Sequence, residues 1–287
     1  MRSLFTFLLA VLYAGCASSV PTPTPFDGKR ALSLVEAQLA FGPRTPGSPA
    51  HAATAAWILN ELEEAGWTRE TQEFEYAGLG LRNLIGRSSS GAGEDIVILG
   101  AHYDTRPHAD QDPIDPRAPV PGANDGASGV AVLLELARAM PPDSLPQPVW
   151  LVFFDGEDSG RIDGWDWIVG SMHFAATLQI EPAAVIVVDM VGDAQLELYY
   201  ERNSDQALSK EIWAVAQQLG YRAFVPEYRY SMIDDHTPFL RLGLPAIDII
   251  DFDYPYWHTT QDTLDKVSAE SLEQVGRTLQ TWLTTAP

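Results

Sequence analysis

The stretch VWLVFFDGED, residues 149–158, decides the fold. Its first six residues form a continuous apolar run, the pattern of a strand buried on both faces. The run stops at Asp155-Gly156, and two acids, Glu157 and Asp158, follow at once. The same design recurs at residues 96–100, which end at Ala101-His102, and at residues 184–188, which end at Asp189. Residues 246–250 read as a further strand, and residues 73–76 alternate acid with aromatic like a short one. Helical spacing appears at residues 30–40, 53–65, 129–139, 167–176 and 268–283. Strand and helix therefore alternate, which predicts a three-layer α/β fold with a sheet flanked by helices. No repeat or shift in composition marks a second domain in the 287 residues. A chain of this size buries about 75% of its unfolded surface and needs no staple.

In open α/β sheets the ligand crevice lies beyond the carboxyl ends of the strands, where His102, Asp158 and Asp189 fall. Asp125 and His258 join them, so two histidines and three carboxylates occur in order, the ligand set that one or two zinc ions need. A single strand-end Asp more often caps a helix. Glu157, beside a ligand, is a candidate general base, and Gly156 allows the turn that points Glu157 and Asp158 in different directions. Asp104 either fixes the imidazole of His102 or caps the following loop. Asn124-Asp125 opens a helix, whose free amides favour an ionised Asp125. The Pro/Asp-rich residues 106–121 read as a long loop over the site. Tyr103 and His236 read either as supports of the ligands or as merely buried residues, with a satisfied structural hydrogen bond the default for His236, and Asp262 reads as an anchor near the start of the C-terminal helix.

The formal net charge of -21 argues against nucleic acid as a partner. Arg2, an apolar run at residues 4–13 and Ala14-Gly15-Cys16 have the order of a secretory signal. The expected division is a signal peptide at 1–15, a lipidated Pro/Thr-rich tether at 16–28 and a catalytic domain at 29–287. Cys16 is the single cysteine and follows Ala-Gly as in a bacterial lipobox. The alternative is a plain signal peptide, and with either the protein is exported. The lipid anchor is the only membrane contact expected, and the protein reads as a monomer.

AHYDTRP, PGANDGASGVAVLLELAR, FFDGEDSG, VDMVG, IDDHTPFLRLGLP and YWHTTQDTLDKV resemble the zinc aminopeptidase superfamily, and within it most the glutaminyl-peptide cyclotransferases. The resemblance runs from about residue 30 to the C-terminus. It implies a mixed, mostly parallel sheet and one catalytic zinc on Asp125, Asp158 and His258. In the related aminopeptidases a second zinc is held by His102 and Asp189, with Asp125 bridging. The resemblance implies that Glu157 is the base, that Asp189 and Asp234 carry a proton network, and that Trp165 and Trp257 wall the substrate pocket. The implied substrate is a peptide with N-terminal glutamine, and the alternative is a di-zinc aminopeptidase. A non-catalytic envelope domain is the third reading, against which an intact Glu157 argues. Three positions depart from the family pattern: Asp158 where Glu is usual, Ile233 where an acid is common, and Asp248 where a histidine is usual.

Overall fold

A computed structural model describes residues 22–88 and 95–285, so the signal segment and Cys16 lie outside the described residues. In chain order the strands are β1 (Thr68–Tyr76), β2 (Leu79–Arg87), β3 (Val97–His102), β4 (Val149–Phe154), β5 (Ala184–Asp189), β6 (Leu198–Tyr200), β7 (Phe224–Tyr228) and β8 (Ala246–Ile250). The helices are α1 (Gly28–Leu39), α2 (Pro49–Glu64), α3 (Ala127–Ala139), α4 (Val169–Thr177), α5 (Gln206–Gln218), α6 (Thr237–Arg241) and α7 (Ala269–Thr285). Six strands form one sheet in the order β1-β2-β4-β3-β5-β8. Its four apolar strands run parallel, while β1 and β2 join antiparallel at the edge, so the sheet is mixed and mostly parallel. The strands β6 and β7 pair separately.

The apolar runs are continuous because the sheet is covered twice. Leu99, Leu151, Phe153, Ile186, Val188, Ile247 and Ile249 enter the larger core with residues of α1, α2, α3, α5 and α7. Their neighbours Ile98, Val152, Phe154, Val185 and Ala246 point the other way and pack on Phe174 of α4 and Phe239 of α6. Period-two alternation thus serves two cores at once. Gly129 lets α3 lie directly on β5, since a Cβ there would come within 2.3 Å of the Val188 carbonyl oxygen.

The hairpin of β1 and β2 extends well beyond the short strand expected at residues 73–76. Its two-residue turn, Ala77-Gly78, has φ of 50° and 78°, the primed geometry that suits strand twist. The far end of the expected tether is also docked rather than free. Phe26 is buried, the Thr24 amide donates to the Ala139 carbonyl at 2.8 Å, and Asp27 caps α1 through the amides of Lys29 and Arg30.

Candidate metal centre and its base

The strand ends converge. His102 closes β3, Asp189 closes β5, Glu157 and Asp158 follow β4, Asp125 precedes α3, and His258 follows β8. All six side chains are buried. His102 Nε2 stands 3.1 Å from Asp125 Oδ1 and 3.1 Å from Asp189 Oδ1. His258 Nε2 stands 3.0 Å from Asp158 Oδ1 and 3.7 Å from Asp125 Oδ2. Asp125 therefore offers one oxygen to each of two groups, His102-Asp125-Asp189 and Asp125-Asp158-His258, in both of which the donor atoms lie within 4.8 Å of one another. The donor set suits a divalent cation of the zinc class. Asp158 Oδ2, buried without a hydrogen-bond partner among the described residues, is an atom such an ion would satisfy.

Supporting groups fix these ligands. Asp125 is not a helix cap, since α3 has no side-chain cap and begins after Gly126 at φ 87°. Asp104 lies 3.6 Å from His102 Nδ1, but its hydrogen bonds go to the amides of Glu157 and Asp158, at 3.1 and 3.2 Å. It thereby aims both acids. Residues 106–121 form the expected irregular loop, and it does reach the site. Asp110 Oδ1 lies 3.4 Å from His258 Nδ1, a partner that would leave Nε2 unprotonated toward the ligands. Arg106, from the same loop, grips both oxygens of Asp110 at 2.8 Å and donates to the Asp158 carbonyl at 3.1 Å.

Asp262 does not anchor α7, which starts at Ala269; it accepts the amides of Asn124 and Asp125, at 2.8 and 3.1 Å, and the Tyr254 hydroxyl at 2.7 Å. It positions the bridging ligand, a role visible only once the chain is folded. His236 has no satisfied hydrogen bond on either ring nitrogen among the described residues. Tyr103 is structural, donating to Asp155, which also holds His51 at 2.7 Å. Asp262→Ala strands two buried amides at about 1–3 kcal/mol each. The expected result is a lower melting temperature and metal affinity weakened by about 10- to 100-fold, read by competition with a chelator.

Burial sets the charges. It pushes Asp158 up to about 6, with Asp125 adding to the effect, and Asp189 up to about 7, with Asp234 and Asp125 adding to it. Burial also raises the Glu157 carboxyl well above the usual range; Asp234, Asp158 and Asp235 add to this, and His102 opposes it. Asp125 moves down despite its burial, held by His102 and His258. Burial works against protonated His102, but the carboxylates of Asp189, Asp104 and Asp125 outweigh it and raise the ring. A buried carboxyl beside metal ligands has the placement that a proton-transfer group needs.

Aromatic faces enclose His258. Trp257 stacks on it with centroids 3.7 Å apart, and Trp167 lies nearly parallel at 6.0 Å. Trp165 packs edge-on to Tyr76 at 5.1 Å, and its ring comes within 3.5 Å of where a Cβ on Gly156, next to Glu157, would stand. Trp165 and Trp167 stand two residues apart on one loop, and Trp167 is the one whose ring lies against a ligand. Gly160 seats the indole of Trp167, because a Cβ there would meet the ring at 2.0 Å. Gly160→Ala should displace Trp167 and raise KM several-fold while the metal content stays unchanged, as measured by steady-state kinetics and metal analysis. His258 itself has φ of 55°, a conformation that costs a non-glycine residue on the order of 1 kcal/mol or more and recurs at functional sites.

The model of peptidase family M28 matches residues 83–283. Glutaminyl-peptide cyclotransferase of Bos taurus is 26% identical, over 84% of this chain and 77% of its own. The crystal structure of Tannerella forsythia glutaminyl cyclase is similar at 33% identity and a TM-score of 0.84, covering 92% of this chain and 100% of that one. A leucine aminopeptidase precursor from Bacteroides thetaiotaomicron is similar at 31% identity and a TM-score of 0.87, covering 93% and 100%.

Proposed function

Since the chain belongs to peptidase family M28, we propose that it is a zinc-dependent glutaminyl-peptide cyclotransferase, converting N-terminal glutamine of peptides to pyroglutamate with release of ammonia. The ligand set is shared with hydrolytic relatives, so the choice rests on what surrounds it. The observation that carries it is the aromatic wall of Trp257 and Trp167 about His258, with Glu157 buried beside the ligands. An apolar wall holds the glutamine side chain folded toward its own amine and excludes water, the competing nucleophile.

Zinc held by Asp125, Asp158 and His258 would polarise the γ-carboxamide. Glu157 takes a proton from the α-amine as its nitrogen attacks the γ-carbonyl carbon. It returns that proton to the amide nitrogen, which leaves as ammonia while the ring C–N bond remains. Asp234, whose charge helps raise Glu157, and Asp189, beside His102, complete the proton network. The exported form anchored at Cys16 would place this activity at the bacterial cell envelope.

A second reading has its own observation. Asp125 faces both His102 and His258, the arrangement a di-zinc aminopeptidase would use. Incubation with glutaminyl and leucyl peptides decides between them. Cyclisation yields a peptide that has lost ammonia and gained no water, with no free amino acid. Free leucine from the leucyl peptide would sink the proposal, and turnover of neither would favour a binding domain.

A further inference from the structure

Of the ligands, His258 lies furthest from regular structure, in the irregular chain between the end of β8 at Ile250 and the start of α7 at Ala269. Its backbone is also left-handed, with φ of 55°. Such a conformation persists only where the surroundings over-determine it. Three consecutive residues of the loop at 106–121 do so. Asp110 Oδ1 faces the imidazole Nδ1 at 3.4 Å. The Gln111 amide donates to the His258 carbonyl at 3.2 Å. Asp112 Oδ2 accepts the Thr260 amide at 2.9 Å and the Thr260 hydroxyl as well. Together these contacts fix the ring, the peptide plane that follows His258, and the amide two residues on.

The loop that supplies them is itself closed and anchored. The Val120 amide donates to the Arg106 carbonyl at 3.0 Å and the Ala109 amide to the Ala118 carbonyl at 2.7 Å, while Ala109, Asp112 and Val120 are buried. Asp112 Oδ1 turns the chain by accepting the amides of Ile114 and Asp115, at 2.8 and 3.0 Å. One carboxylate therefore uses one oxygen to shape its own loop and the other to hold the segment that carries His258. The two oxygens can be tested apart.

We propose that Asp112 is a positioning residue of the metal centre. Through Thr260, with the Gln111 amide beside it, it holds His258 in the left-handed conformation that turns Nε2 toward Asp158 and Nδ1 toward Asp110. The proposal rests on His258 as a ligand and holds for cyclisation and hydrolysis alike. With the tie cut, the His258 backbone relaxes away from φ of 55° and the imidazole leaves the place that the ion requires. Zinc then binds only the fraction of molecules in which that conformation recurs, so its affinity falls.

Asp112→Asn tests this, because asparagine keeps Oδ1 for the amides of Ile114 and Asp115 but presents an NH2 group to the Thr260 amide. The expected result is zinc affinity weakened by about 10- to 100-fold, read without substrate by competition with a chelator. Thermal melting separates positioning from mere support. The zinc-loaded variant should fall further below loaded wild type than the chelated variant falls below chelated wild type. Wild-type affinity, with both forms destabilised alike, would overturn the proposal and leave Asp112 a residue that only stabilises its loop. Thr260→Val, which removes the hydroxyl and keeps the amide, decides if Asp112→Asn does not fold: its affinity should fall in the same direction, and wild-type affinity would overturn the proposal. A wild-type protein that binds no zinc would sink the ligand assignment itself, and the proposal with it, so the two failures are distinct.

Discussion

Glu157→Gln is expected to lower kcat for cyclisation of glutaminyl peptides by about 10²- to 10⁴-fold, the range for loss of a positioned general base. The amide keeps the shape of the side chain and cannot accept the proton. KM should change little, because the wall formed by Trp257 and Trp167 is untouched. Zinc content should also hold, since the ligands are Asp125, Asp158 and His258. Stability should hold or rise: Asp234, Asp158 and Asp235 all repel a charge at Glu157, and the substitution removes it. The pattern of lost turnover with intact metal and fold separates a proton-transfer role from a ligand role. Steady-state ammonia release, metal analysis and thermal melting together read it. Turnover equal to wild type would remove Glu157 from the mechanism.

What was legible in the sequence follows from what each residue has to satisfy. The strands β3, β4, β5 and β8 bury both faces, so their runs are apolar without interruption, and β4 and β8 occupy the expected residues. The hairpin β1–β2 hides because its residues serve different neighbours. Arg87 lies over the Trp150 ring, and Asn83 donates to the Gly170 carbonyl, so polar side chains stand where a sheet pattern would call for apolar ones. Helix α5 buries Leu208, Ile212, Trp213 and Ala216, a helical spacing that the sequence carries in full. At the site His102, Asp158 and Asp189 could be read because they sit at strand ends, a position fixed by topology, whereas Asp125 before α3 and His258 beyond β8 stand out by their motifs alone. Asp262, Asp110 and Arg106 could not, because they act through loops whose paths no local pattern specifies.

Removal of the metal is expected to abolish activity and to make stability depend steeply on pH. In the metal-free fold, burial raises Asp158 to about 6 and Asp189 to about 7, against ~3.9 in an unfolded chain. Between ~4 and ~7 the folded state therefore holds protons that the unfolded state has released, and stability falls as pH rises through that window. His102 and His258 act in the same direction. Neighbouring carboxylates raise both rings against the effect of burial, so the stability they contribute is full below ~6.5 and lost as pH rises through their folded values. Asp125, which is lowered, opposes this only at the acid end, where its contribution disappears as pH falls. With zinc bound, Asp125, Asp158 and His258 are held deprotonated and the repulsion between Asp125 and Asp158 is cancelled. The chelated protein should thus melt well below the loaded one at pH ~8 and approach it at pH ~5, a difference on the order of a few kcal/mol across the window. Zinc should restore activity and remove the share of the pH dependence that Asp158 and His258 contribute, while Glu157, Asp234 and Asp235, which burial also raises, keep theirs. Equal pH dependence with and without chelator would mean that no metal screens these carboxylates, and the ligand assignment would fall with it.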